Sequence, residues 1–139
     1  MTELSERSTS GHPLLSDPAE RIAEGRRRSR APAEYAHAAE VYRALGDPTR
    51  VKIIDGLAHQ ELCTSDLAEI VGLSEPAVSQ HLRLLRAQRV VTSHRHGQRV
   101  FYALDDDHVR DLLALTLAHV KDRVAGRARP AGRATETGR

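Results

Sequence analysis

The chain has 139 residues, a formal net charge of +2 and a single cysteine, Cys63. That length suits one compact domain with loose ends, and a lone thiol excludes an intramolecular disulfide and points to a reducing compartment. No apolar run approaches the roughly 18 residues of a membrane span, and Met1-Thr2-Glu3-Leu4-Ser5 lacks the basic and apolar parts of a secretory leader, so a cytoplasmic protein without membrane contact is expected.

Residues 1–32 mix Ser, Pro, Glu and Arg without period and read as a mobile arm, with one basic cluster at Arg26-Arg27-Arg28-Ser29-Arg30. Ala36, Ala39, Val41 and Leu45 recur at helical spacing and predict a first helix, ended by Gly46. Asp47-Pro48 then reads as a cap followed by proline at the first helical position. Val51, Ile54 and Leu57 give that second helix, over about 48–58, its apolar face. Thr64-Ser65-Asp66 opens a short third helix, carried by Leu67, Ile70 and Val71 and stopped at Gly72. Ser74 caps a fourth helix with Pro76 in its first turn and Val78, Leu82 and Leu85 inside.

The period then changes from helical to extended. Val90 to Arg95 and Arg99 to Leu104 are β-rich runs around His96-Gly97-Gln98, a hairpin. Asp105-Asp106-Asp107 places carboxylates where a following helix favours them. Val109, Leu112, Leu113, Leu115, Thr116 and Val120 give that last helix a wide apolar face, as a dimer seam requires. The folded body is expected over residues 33–125, with 126–139 a basic flexible tail.

Two helices joined by a three-residue turn, followed by a hairpin, make a winged helix-turn-helix pattern, in which the second helix of the pair enters the major groove of duplex DNA. The residues in place to meet DNA there are Ser74, Ala77, Ser79, Gln80 and Arg83. An amide such as Gln80 reads adenine edges, whereas Arg83 suits phosphates. The wing adds Arg95, Gln98 and Arg99. With one Phe and three Tyr in the whole chain, single-strand binding by base stacking is disfavoured.

The last helix carries a second pattern: Asp106-x-His108, then His119-x2-Asp122. His108 and His119 point within roughly 20° of each other on a helix but lie roughly 16 Å apart along it, too far for one ion with bonds of about 2 Å. A second, antiparallel copy solves this. Asp106 and His108 of one chain would face His119 and Asp122 of the other, giving two intersubunit sites per dimer. Two imidazoles and two carboxylates suit tetrahedral Zn(II), with Co(II) the alternative.

Ala44 to Arg50, Glu61 to Ala68, Ser74 to Leu82 and Gly97 to Tyr102 together resemble the ArsR/SmtB metal-sensing repressors over roughly residues 38–124. The resemblance implies a mainly α fold with one β-hairpin, a winged helix-turn-helix homodimer packed through its N- and C-terminal helices. It implies a repressor that binds double-stranded operator DNA without metal and leaves it when metal, as inducer, binds. The quartet Asp106, His108, His119 and Asp122 is similar to the C-terminal-helix site of the zinc sensors, with Asp122 standing where relatives carry Glu or His. Cys63 and Asp66 remain from the thiolate site that other members place at the third helix; its second cysteine is Ser65 here, which leaves a vestigial second metal site. A metal-free regulator of the same fold, switched by Cys63 oxidation or by a small ligand, and a zinc enzyme are the competing readings. The filled quartet leaves no open position for a catalytic water, so no enzyme is expected.

Overall fold

Proline stands in the first turn of four helices of the computed structural model, which describes residues 17–128. The missing amide hydrogen is harmless there and the fixed φ is already helical. The elements are α1 (Pro18–Arg28), α2 (Pro32–Leu45), α3 (Pro48–Leu57), β1 (Leu62–Cys63), α4 (Thr64–Val71), α5 (Glu75–Ala87), β2 (Val91–His96), β3 (Arg99–Leu104) and α6 (Asp107–Ala128). Capping follows the sequence pattern: Asp47 accepts from the Arg50 amide at 3.1 Å and Ser74 from the Ala77 amide at 3.3 Å. The chain divides into two compact units, Met1–Ala38 and Ala39–Arg139.

Part of the span read as an arm is helical. Residues 18–28 form a helix without a buried residue, on which Glu24 pairs with Arg27 and Arg28. Arg28, then Arg27, holds the Glu24 carboxyl below the usual carboxylate range. Ile22 is the one large apolar residue of this helix, too little to mark a helical period in the sequence. The helix predicted from Ala36 begins at Pro32, and the Tyr35 hydroxyl accepts from the Arg30 amide at 2.9 Å. The remainder of the expected arm, residues 1–16, and of the tail, residues 129–139, lie outside the described residues. The last helix runs to Ala128, three residues into the span read as tail.

The second unit is built around Ile53, Ile54, Leu57, Leu67, Val78, Leu82, Leu85 and Val90, all at most 2% exposed. Each such side chain contributes about 1.5–3 kcal/mol of burial. Among the described residues the hairpin is not alone: β1 pairs with β3, Leu62 opposite Tyr102 and Cys63 opposite Phe101, giving an antiparallel sheet ordered β1-β3-β2. Two residues are too few to register as alternation, so this strand is not legible in the sequence. On the hairpin's other side, His94 faces Phe101 and His96 faces Arg99.

The turn between α4 and α5 is Gly72-Leu73-Ser74. Gly72 lies in the left-handed region at φ 73°, and its amide bonds to Ala68 O at 2.8 Å, with that of Leu73 on the same carbonyl at 3.2 Å. A Cβ added at Gly72 meets nothing within 4 Å, so its requirement for glycine is conformational, not steric. Gly72→Ala is therefore expected to lower stability by about 1–2 kcal/mol, and Leu82→Ala by about 2–5 kcal/mol. Urea unfolding with an unchanged m-value checks both, and equal losses for the two would contradict this separation of backbone from packing.

Candidate DNA interface and metal-binding side chains

Burying Val78, Leu82 and Leu85 turns the opposite side of α5 outward. Ser74, Gln80 and Arg83 are exposed there, and Ala77 and Ser79 are half-buried. Ser74 Oγ accepts the α5 cap and keeps its hydroxyl hydrogen free to donate. Two shallow grooves flank the helix. One is lined by Arg50, Pro76, Ala77, Gln80, His81 and Leu84, the other by Ser79, Arg83, Arg86, Ala87 and Tyr102. His81 turns toward α3, its Nδ1 lying 3.3 Å from Arg50 Nη1, so it belongs to helix packing and not to the outward face.

The wing carries Arg95, Gln98 and Arg99, all exposed, with Gly97 at φ 62° turning the chain. Arg99 lines a groove with Cys63, Thr64, Ser65 and Glu75, which joins the wing to the N-terminal end of α5. Exposed along α5 and the wing are short hydroxyls, an amide and guanidinium groups, with the Glu75 carboxylate in the groove beside Arg99. That is the chemistry of phosphate contact with base reading between.

Cys63 and Asp66 are occupied by the start of α4. The Cys63 amide donates to Asp66 Oδ2 at 3.1 Å, and Cys63 Sγ lies 3.2 Å from Ser65 Oγ. The thiol and amide of Cys63 hold the Asp66 carboxyl below the usual carboxylate range. Cys63 is buried, as a small apolar side chain in the core would be.

The quartet is split by α6 itself. Asp106 Oδ1 accepts from the Val109 amide at 3.2 Å, and its Oδ2 lies 3.4 Å from His108 Nδ1. The Val109 amide, and after it His108, holds the Asp106 carboxyl below its usual range. The His108 side chain is 94% exposed. His119 and Asp122 are exposed eleven and fourteen residues farther along the same helix. The structure thus brings Asp106 to His108, and it does not bring this pair to His119 and Asp122. Each half is a carboxylate with an imidazole, open to further partners, which fits the donor set of a shared zinc or cobalt site.

Three other donors do converge among the described residues. Glu61, His94 and His96 each place a ligand atom within 4.8 Å of the others. Read singly, His94 and His96 are solvated surface histidines; the signal is their i, i+2 spacing on a strand, which puts both on one face. The approach of Glu61 depends on the unforeseen pairing of β1.

Over residues 47–93 the chain matches the family described as bacterial regulatory protein, arsR family. It is 45% identical over 84 residues to the transcriptional repressor SmtB homolog of Synechocystis sp., covering 60% of this chain and 64% of that one, just under two thirds of the relative's length. It is 40% identical over 85 residues to the cadmium resistance transcriptional regulatory protein CadC homolog of Staphylococcus aureus, covering 60% and 70%. The chain belongs to the ArsR family. Its fold is similar to a homodimeric winged helix-turn-helix DNA-binding domain from Mycobacterium bovis, with a TM-score of 0.64 at 24% identity over 74% of this chain and 98% of that one. These ArsR relatives are named as regulators of transcription and not as enzymes. No helix among the described residues is long and apolar enough to cross a membrane.

Proposed function

We propose that this ArsR-family chain is a metal-responsive transcriptional repressor, which binds double-stranded operator DNA as a homodimer and leaves it when metal binds. The observation that carries this reading is the outward face of α5, flanked by the wing. Gln80 would read base edges. Arg83, Arg95 and Arg99 would meet phosphates, and Ser74, Ala77, Ser79 and Gln98 would fit against the groove.

The homodimer is supported by what α6 leaves uncovered. A hollow of about 220 Å³ lies between Tyr42, Leu45, Val51, Ile54, Val109, Leu112, Leu113 and Thr116. Beyond it Leu115 is 71% exposed and Val124 60% exposed. Apolar side chains at this density on a terminal helix fit a partner surface, and a second copy of α6 supplies one of the same chemistry. An antiparallel arrangement also answers the split quartet. Asp106 and His108 of one protomer, with His119 and Asp122 of another, would hold an inducer ion at each of two sites per dimer. Zn(II) is favoured, with Co(II) the alternative, because two imidazoles and two carboxylates are borderline and hard donors. The cadmium of the staphylococcal relative's name suits softer thiolates, and Cys63 is this chain's single cysteine.

Bound metal supplies a cross-link between protomers. For release, the cross-linked shape must bind DNA less well than the free one, since only differential affinity shifts such an equilibrium. Each tenfold loss of DNA affinity corresponds to about 1.4 kcal/mol of coupling. The arrangement can supply this because α6 packs on α3 and β3, and these elements hold α5 and the wing.

Two measurements test the reading, both on duplex DNA selected by the protein from a random pool. Gln80→Ala is expected to lower affinity for the selected sequence by about 1–3 kcal/mol while affinity for random duplex is nearly kept. Arg99→Ala should weaken both and reduce the salt slope by about one. Equal losses on both DNAs for Gln80→Ala would remove it from the reading surface. Separately, His108→Ala and His119→Ala should each bind DNA as the parent does yet stay bound when Zn(II) is added. Either variant released at the parent's zinc concentration would move the inducer site away from α6.

A further inference from the structure

Strand pleating and an unforeseen pairing together place three ligand side chains at one spot on the wing. In the sheet, Cys63 faces Phe101 and Phe101 faces His94, so these three side chains share a face. Glu61 is two residues before Cys63 and His96 two after His94, which returns both to that same face. Glu61 Oε1 lies 2.8 Å from His94 Nε2. The two imidazoles meet edge to face with centroids 4.9 Å apart. Beneath them the Phe101 ring stacks with His94 at 6.4 Å and meets His96 edge-on at 5.6 Å. Phe101 therefore limits how either ring can turn.

We propose that Glu61, His94 and His96 form a metal site of their own on the wing, for a borderline divalent ion of the zinc, cobalt and nickel class. Three donor atoms within 4.8 Å of one another need to close by only about an ångström to surround an ion at bond lengths of about 2.0–2.2 Å. Glu61 and His96 are exposed, and a closure this small needs no repacking of the core. Two imidazoles and one carboxylate select this class over calcium or magnesium, which take oxygen, and over soft ions, which take thiolate. Three protein donors leave the coordination incomplete, so water completes it and the ion exchanges readily. His94 Nε2 donates to Glu61 Oε1 in the arrangement observed; on binding, the neutral ring would take the tautomer with its single hydrogen on Nδ1, leaving the Nε2 lone pair for the ion.

The site does not depend on the α6 quartet, and it stands if Asp106, His108, His119 and Asp122 hold nothing. The chain also supplies its own reporter, because Phe101 is its only phenylalanine. Protein labelled with carbon-13 at phenylalanine gives one ring, in contact with both histidines. Stoichiometric Co(II), which is paramagnetic, should broaden or shift that ring's resonances in the parent and equally in the His108→Ala, His119→Ala double variant. The effect should be lost, with cobalt affinity at this site falling roughly tenfold or more, in Glu61→Gln and in His96→Ala. Calorimetry with Zn(II) should find one equivalent per chain remaining in the double variant and none once His96→Ala is added. A Phe101 ring that cobalt leaves unchanged in the double variant would overturn the proposal, as would a double variant that binds no zinc. Glu61→Gln keeps the side chain's shape, so the result does not rest on a variant that alters the wing's packing.

Discussion

The burial of Val78, Leu82 and Leu85 on one side of α5 is the constraint on which the rest of the structure turns. These side chains join Ile53, Ile54, Leu57 and Leu67, which fixes α5 against α3 and α4 and leaves no rotation about its own axis that keeps the core closed. The outward direction of Gln80 and Arg83 follows from that packing alone, about half a turn away from Val78. Gly72 does the complementary work at the other end, since its left-handed φ sets the angle at which α5 leaves α4. A surface that meets a groove of fixed width has to be rigid before contact, and here the rigidity comes mainly from the core and one turn, with the Ser74 cap and the Arg50–His81 contact beside them.

Legibility in the sequence tracks how local each determinant is. The caps Asp47 and Ser74, the proline starts at Pro48 and Pro76, the Gly72 stop and the inner face of α5 depend on residues at most four apart, and the structure places them as the pattern predicts, whereas Pro18 and Pro32 open helices where none was expected to start. Helix α1 escaped because Ile22 is its one large apolar residue and it buries no side chain. β1 escaped because two residues cannot show alternation. Glu61 gained neighbours only through that missed strand, so the His94–His96 pair was visible as a spacing while its third member was not. The quartet shows the opposite case: helical spacing alone implies that its halves cannot meet within one chain, and the structure keeps Asp106, just before α6, and His108 in its first turn away from His119 and Asp122 farther along it.

The two donor clusters differ in what they can do mechanically. Glu61, His94 and His96 all belong to the sheet region of one chain, so an ion there stiffens the wing and asks nothing of a partner. Asp106 with His108 is an incomplete pair with an almost fully exposed ring, and its completion by His119 and Asp122 requires a second copy. Only the second arrangement converts metal occupancy into a constraint between protomers, and therefore into spacing between two α5 helices. This is why the α6 residues, despite their dispersal in the single chain, are the better candidates for an inducer site under the reading proposed.

That reasoning also bears on the apolar surface of α6. A helix exposing Leu115 and Val124 this fully gains by association whether or not metal is present. If such burial holds the dimer together, the quartet need not do so, and the ion's free energy is available to choose between two dimer shapes instead of creating the dimer. A switch needs that division. Were metal responsible for assembly, removing it would dissolve the pair and with it the two-helix match to DNA, giving binding on metal addition and not release. Under the reading proposed, the apolar seam and the polar quartet would thus be coupled requirements: the first would keep the metal-free protein dimeric and able to bind DNA, and the second could then work against that shape.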